Sequence, residues 1–346
     1  MSGAFGWARA NSADAGTRVH GPDNFAGAKG AYGGGAKRVD IGFDSNDGRS
    51  RKIDAFANKL GPKTIPNGKS TLSSTAANVV MVVLDVTGSM QEWPQEIFRR
   101  LPLLYTDLVR YLGSDDLEVL FIAHGDASGS DRYPVQVGRF ARGAELDAVL
   151  ASLEREGGGS GRESQRESQE LIAYYMVERI DTTSAQNVFV FFVTDEAGYD
   201  TVTASQVDQL LGVPMNHELI RTADVFAKLS ITADVYAVVC DTKSYDSPLA
   251  PTWWKKMLGS EQVLLLDDAR RIVDVLLGVM AGKVGKDHEF DQDLTRRQVG
   301  MPHGYANIAN VHKTLAIVRR GGKTRLLLPP DVSGSHSKKT RSLLDD

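Results

Sequence analysis

Between residues 78 and 267 the chain alternates short, unbroken apolar runs with longer stretches whose apolar residues recur every three or four positions. This alternation restricts the fold more than any other feature. An apolar run of four to eight residues suits a strand buried on both faces, and the three-to-four spacing suits a helix with one buried stripe. The strand candidates are NVVMVVLD (78–85), LEVLFIAH (117–124), RYPVQVGRF (132–140), NVFVFFVTD (187–195), TADVYAVVC (232–240) and EQVLLLD (261–267). RYPVQVGRF alternates and contains Pro134, which marks an edge strand. Helices are expected at 95–112, 143–154, 163–180, 216–230 and 268–282, with a shorter one at SQVDQLLG. Strand following helix in this way predicts an α/β fold: a doubly wound, Rossmann-like, mostly parallel six-stranded sheet with helices on both faces.

The flanks differ. Residues 1–76 read as a glycine-rich, partly flexible extension: nine of the 34 glycines lie in 1–40, with few apolar residues to offset the entropy of ordering them. Residues 285–346 read as a second extension, with HKTLAIVRRGGKTRLLLPP as a β-hairpin turning at Gly321-Gly322 and a polar tail. The domain proper is then 77–284. Its lone cysteine, Cys240, excludes an internal disulfide and fits a reducing, cytoplasmic setting. A net charge of −4 gives no reason to expect nucleic acid as a partner. The N-terminus lacks a secretory pattern, and no apolar stretch approaches the ~20 residues of a membrane-spanning helix. NGKST (67–71) lacks the earlier glycine of a phosphate-binding loop, since Lys63 stands there.

The first apolar run ends in DVTGS. In an open parallel sheet ligands collect beyond the carboxyl ends of the strands. Asp85, Thr87 and Ser89 alternate there, so in extended backbone their oxygens point the same way. Asp195 ends another strand at the same edge. Between the two lies EGGGSGRES, whose glycines let backbone approach closely and present Ser160. Oxygens gathered in this way suit a hard divalent cation. The plainer account is a turn in which Ser89 caps the following helix.

VVLDVTGSM, GGGS and FFVTDE, in that order, resemble the von Willebrand factor A domain with its metal-ion-dependent adhesion site, over about residues 77–284. The resemblance implies that Thr87 and Ser89 bind Mg²⁺ (or Ca²⁺ or Mn²⁺) directly and that Asp85 and Asp195 bind it directly or through water. Ser160 stands where the family has a loop threonine, and Ser164 lies on the same loop. It further implies a metal-dependent protein–protein module, not an enzyme, that receives an Asp or Glu of a partner. Soluble relatives act beside AAA+ ATPases or in multi-protein assemblies, which suggests an adaptor, with self-association through the extensions left open. His124 and Asp126 end the second strand at the same edge, and Glu163 is the second residue of RESQRESQ (162–169), whose four-residue repeat predicts a solvated helical face, or else a polar rim beside the site; these three, with Ser164, are candidates to support the ligands from behind. Trp253-Trp254 suits a core or an interface. LDVTGS also resembles the start of haloacid-dehalogenase-like phosphotransferases, in which Asp85 would be a nucleophile and Asp195 and Asp200 would hold magnesium. Against that, residues 90–194 contain no lysine.

Overall fold

The computed structural model describes residues 71–91, 93–128, 131, 133–153, 166–211, 215–242 and 248–321. Residues 1–70 of the expected glycine-rich extension (1–76), the loop with Ser160, Glu163 and Ser164, and the tail from 322 lie outside the described residues.

A two-residue strand, β1 (Leu72–Ser73), precedes β2 (Asn78–Asp85), α1 (Trp93–Leu112), β3 (Leu117–His124), β4 (Val135–Val137) and α2 (Glu145–Ser152). Then come α3 (Gln169–Arg179), β5 (Ile180–Asp181), β6 (Asn187–Thr194), β7 (Thr201–Thr203), α4 (Ala204–Gln206) with a π-helical turn at Val207–Leu211, and β8 (Leu219–Arg221). The chain continues through α5 (Thr222–Thr232), β9 (Asp234–Cys240), α6 (Leu249–Leu258), β10 (Val263–Leu266), α7 (Ile272–Lys283), α8 (Asp287–Gln298) and α9 (Gly304–Gly321).

The main sheet has the order β10-β9-β6-β2-β3-β4. All pairings are parallel except that of β4, an antiparallel edge strand formed from the Pro134 segment. Every residue of β2 is buried. Its side chains alternate between two cores, as the two-residue strand period demands. Val80, Val82 and Leu84 join Ile97, Leu101, Leu104 and Leu108 of α1 and residues of α7. Val79, Met81 and Val83 join Leu171, Ile172 and Tyr175 of α3 and Trp253 and Trp254 of α6. Helices therefore cover both faces, as expected of a sheet made of continuous apolar strands.

Four expectations need correction. The first arm of the supposed hairpin is helical: Ile308, Val311, Leu315 and Val318, at spacings of three and four, form one stripe of α9 on the core. The TLAIV run looks strand-like only in isolation. Phe290 and Leu294 of α8 are fully buried in the same core, so the packed unit runs past 284. Arg166 to Ser168 are not helical. Arg166 bridges to Ala197, and Glu167 and Ser168 are buried, so this end of RESQRESQ is a strap inside the protein and not a solvated helix face. The segment 219–221, read as helix, is strand β8 pairing with β7.

Candidate functional site at the switch point of the sheet

β2 and β6 are neighbours in the sheet, but their connections leave in different directions, β2 to β3 on one side and β6 to β9 on the other. Such a switch point opens a crevice at the carboxyl edge. In-register pairing of Leu84 with Val193 brings Asp85 beside Thr194, the residue before Asp195. Asp85 and Thr87 are each 1% exposed, whereas Ser89 and Asp195 are half-buried and form the mouth.

The hydrogen bonds link these groups continuously. Asp85 Oδ1 accepts from the Thr87 amide (3.0 Å) and the Thr87 hydroxyl (2.6 Å), an Asx turn that bends the chain out of the strand. Asp85 Oδ2 accepts from the Thr194 hydroxyl at 2.7 Å. Ser89 Oγ donates to Asp195 Oδ1 and Thr242 Oγ1 donates to Asp195 Oδ2, each at 2.8 Å. Thr87 Oγ1 and Ser89 Oγ stand 3.1 Å apart.

Hydrogen counting gives that last distance its meaning. A hydroxyl has one hydrogen. Thr87 directs its hydrogen to Asp85, and Ser89 directs its own to a carboxylate, Asp195 by the bond above, with Glu196 also within its reach. Across the 3.1 Å either hydroxyl can also donate to the other. Where the carboxylates take both hydrogens, lone pairs of both oxygens become available to a divalent cation, and donors polarised by carboxylates are good ligands for a hard ion. The residues present fit such an ion. Among the described residues no three His, Cys, Asp or Glu side chains are grouped as metal ligands. A site built on hydroxyls with two carboxylates has a different composition.

The surroundings are strongly acidic. Burial, then the charge of Asp85, raises the Asp195 carboxyl to about 7. The same two causes, with Asp195 added, raise Glu196 to about 8. Burial pushes up Asp85 itself. Asp131 rises to about 6 through burial and the charges of Asp126 and Asp85. Glu167 is held well above its ordinary value by burial, with Asp85, Glu196, Asp131 and Asp126 acting on it. Carboxyls held up by one another in this way stabilise a cation or retain protons.

Of the supporting candidates, His124 ends β3 opposite Asp85 and is fully buried. Burial lowers its imidazole to about 3, so it stays neutral. Asp126 is buried and accepts from the Ser128 amide and the Tyr199 hydroxyl. Asp200 accepts from Trp253 Nε1 and Lys256, and Trp254 Nε1 donates to the Glu196 carbonyl. The tryptophan pair is thus core that braces the Asp195 loop. Sequence reading missed Thr194, Thr242, Glu167, Asp131 and Glu196. Thr242 lies two residues beyond the end of β9, at the edge already singled out, and that position was the available signal.

Thr242 also borders a cleft of about 550 Å³ between the first turns of α1, with Trp93, Glu96 and Arg99, and the loop after β10, with Asp268 and Arg270. The cleft therefore opens directly beside the site.

No protein-family model matches the chain, and no curated protein matches it. Solved structures similar to it include the open conformation of the pilus adhesin SpaC from Lactobacillus rhamnosus GG, with 12% identity over 62% of this chain and 31% of that one at a TM-score of 0.43. Proximal thread matrix protein 1 from the mussel byssus is similar at 12% identity over 63% of this chain and 49% of that one, with a TM-score of 0.40. The chain spans about a third to a half of these structures. At such values the likenesses carry no functional argument. No helix among the described residues is long and apolar enough to cross a membrane.

Proposed function

We propose that the chain is a von Willebrand factor A-type binding module whose adhesion site holds a divalent cation, magnesium being the natural choice for these oxygen donors. Thr87 and Ser89 would hold the ion, backed by Asp85 and Asp195, with Ser160 or Ser164 as the loop ligand. The observation that carries this reading is the pair of hydroxyl oxygens 3.1 Å apart, each with a carboxylate oxygen within hydrogen-bond distance. Two carboxylates neutralise a dipositive ion without surrounding it, so the ion remains an acceptor for an acidic side chain of a partner protein. The adjoining cleft offers room for the polypeptide on either side of that acid. By analogy with soluble relatives, the partner is an AAA+ ATPase or a member of a multi-protein assembly, and the chain serves as an adaptor.

The phosphotransferase reading has less support. Residues 90–194 contain no lysine to meet the phosphate, and Asp85 is 1% exposed, whereas a nucleophile needs a line of approach.

The test is capture from lysate by the wild type and by Asp85→Ala, each in magnesium and in EDTA. A partner retained only by the wild type in magnesium supports the reading. The same partners in all four samples would place binding elsewhere on the chain.

A further inference from the structure

Thr194 Oγ1 has four polar neighbours. It lies 3.0 Å from Gln169 Nε2, 3.1 Å from the Glu196 amide, 2.7 Å from Asp85 Oδ2 and 3.5 Å from the Glu196 carbonyl. The first two are donors and take up the hydroxyl's two lone pairs. Its single hydrogen goes to Asp85 Oδ2 at 2.7 Å in preference to the Glu196 carbonyl at 3.5 Å, the longest of the four contacts. Thr194 is fully buried, as is Gln169, so no solvent competes for these bonds. Most hydroxyls rotate to suit a change around them, but this one is locked from two sides.

We infer that Thr194, oriented by Gln169, is a positioning residue of the cation site: it pins the deep oxygen of Asp85, which leaves Oδ1 to draw the Thr87 hydrogen inward and turn the Thr87 lone pairs outward. The relay starts on the first residue of α3, directly after the strap in which the Glu167 amide bonds the Ala197 carbonyl and the Ser168 amide bonds the Gly125 carbonyl. It ties the segment leaving the glycine-rich loop to the aspartate at the end of β2. Without it, Asp85 is held through Oδ1 alone, and the acceptor that orients the Thr87 hydroxyl is less firmly fixed. This inference rests on the cation reading above and adds to it the residues that prepare the site.

The test uses Mn²⁺ alone as probe, followed by the loss of its free-ion paramagnetic resonance signal, on the full chain and three variants, with folding checked by circular dichroism. Thr194→Val keeps the shape and removes the hydrogen. The lost bond has a charged acceptor, so Mn²⁺ affinity should fall about 10-fold or more. Thr194→Ser keeps the hydroxyl and should return affinity to within about 3-fold of the wild type. Gln169→Leu removes one lock and should weaken binding about 3-fold or more. At saturating Mn²⁺ the bound-ion line shape should change in Thr194→Val and not in Thr194→Ser, which a merely structural role would not produce. Wild-type affinity or tighter in Thr194→Val overturns the inference while leaving the cation site standing. If that variant does not fold, wild-type affinity in Gln169→Leu overturns it instead. If the wild type binds no Mn²⁺, the cation reading and this inference fall together.

Discussion

Gly125 shows how tightly single residues are constrained around the site. A β-carbon there would run into the Asp131 carboxylate on one side and the Thr87 methyl on the other. Asp131 cannot simply swing away, because it accepts the Asp126 amide at 2.7 Å. Gly125→Ala should therefore cost about 1–3 kcal/mol in chemical denaturation, the range for an overpacked interior. It should also weaken Mn²⁺ binding, because the Thr87 methyl, 3.3 Å from the added carbon, must give way along with Asp131. Asp85→Ala should abolish Mn²⁺ binding in the same assay and leave the circular dichroism spectrum unchanged, since it removes one of several mutually repelling buried acids. Asp85, Thr87, Ser89 and Asp195 were legible in the sequence because each stands at or just past an apolar run, where the sheet directs side chains to one edge. Thr194 and Thr242 were not, because a lone hydroxyl at a strand end has no spacing to mark it. Glu167 was misread for another reason: its charge and its place in a polar repeat suggest solvent, and only the bridge to Ala197 reveals that it lies inside.

At the scale of elements, the carboxyl edge concentrates acids contributed by the ends of β2 and β6, the loop after β3 and the strap before α3. Glu196 and Glu170 titrate near 8 and Asp195 near 7, in each case because burial penalises the charged form first. All three lie above the value of about 4 that such groups show in an unfolded chain. The folded state therefore binds these protons more tightly than the unfolded state does. Their contribution to stability is complete below about pH 4 and is lost as pH rises through about 7 to 8. In EDTA the melting temperature should fall by several degrees between about pH 5.5 and about pH 8.5. Magnesium should restore it at the higher pH and change little at the lower, where protons already occupy the carboxyls. Equal magnesium effects at both values would show that the ion binds away from these groups. The elements themselves were mostly legible, since continuous apolar runs and the three-to-four period are strong signals. The short ones escaped: β7 and β8 are three residues each, too short for a period to register.

For the whole molecule, α8 and α9 are part of the packed unit, and α9 lies along β10, the outermost strand at its end of the sheet. Thr314 Oγ1 donates to the Leu265 carbonyl at 2.9 Å, satisfying a group that the sheet leaves unpaired, and Leu315 reaches into the core opposite Gly278. Leu315→Ala should cost about 2–5 kcal/mol, read from denaturant unfolding, because the Leu315 site is closed on all sides. The C-terminal extension was misread because a four-residue apolar run, LAIV, fits either structure, and only the wider spacing from Ile308 to Val318 separates them. Covering an edge strand blocks pairing with other chains. The cover, however, arrives last. Synthesis completes β10 some fifty residues before the end of α9. At about 5–20 residues per second, the ribosome leaves that edge bare for several seconds on every chain it makes. Neighbouring nascent chains on one message would then be the first strands available to it, so slower translation past Leu266 should lower the soluble yield even though the finished protein is unchanged.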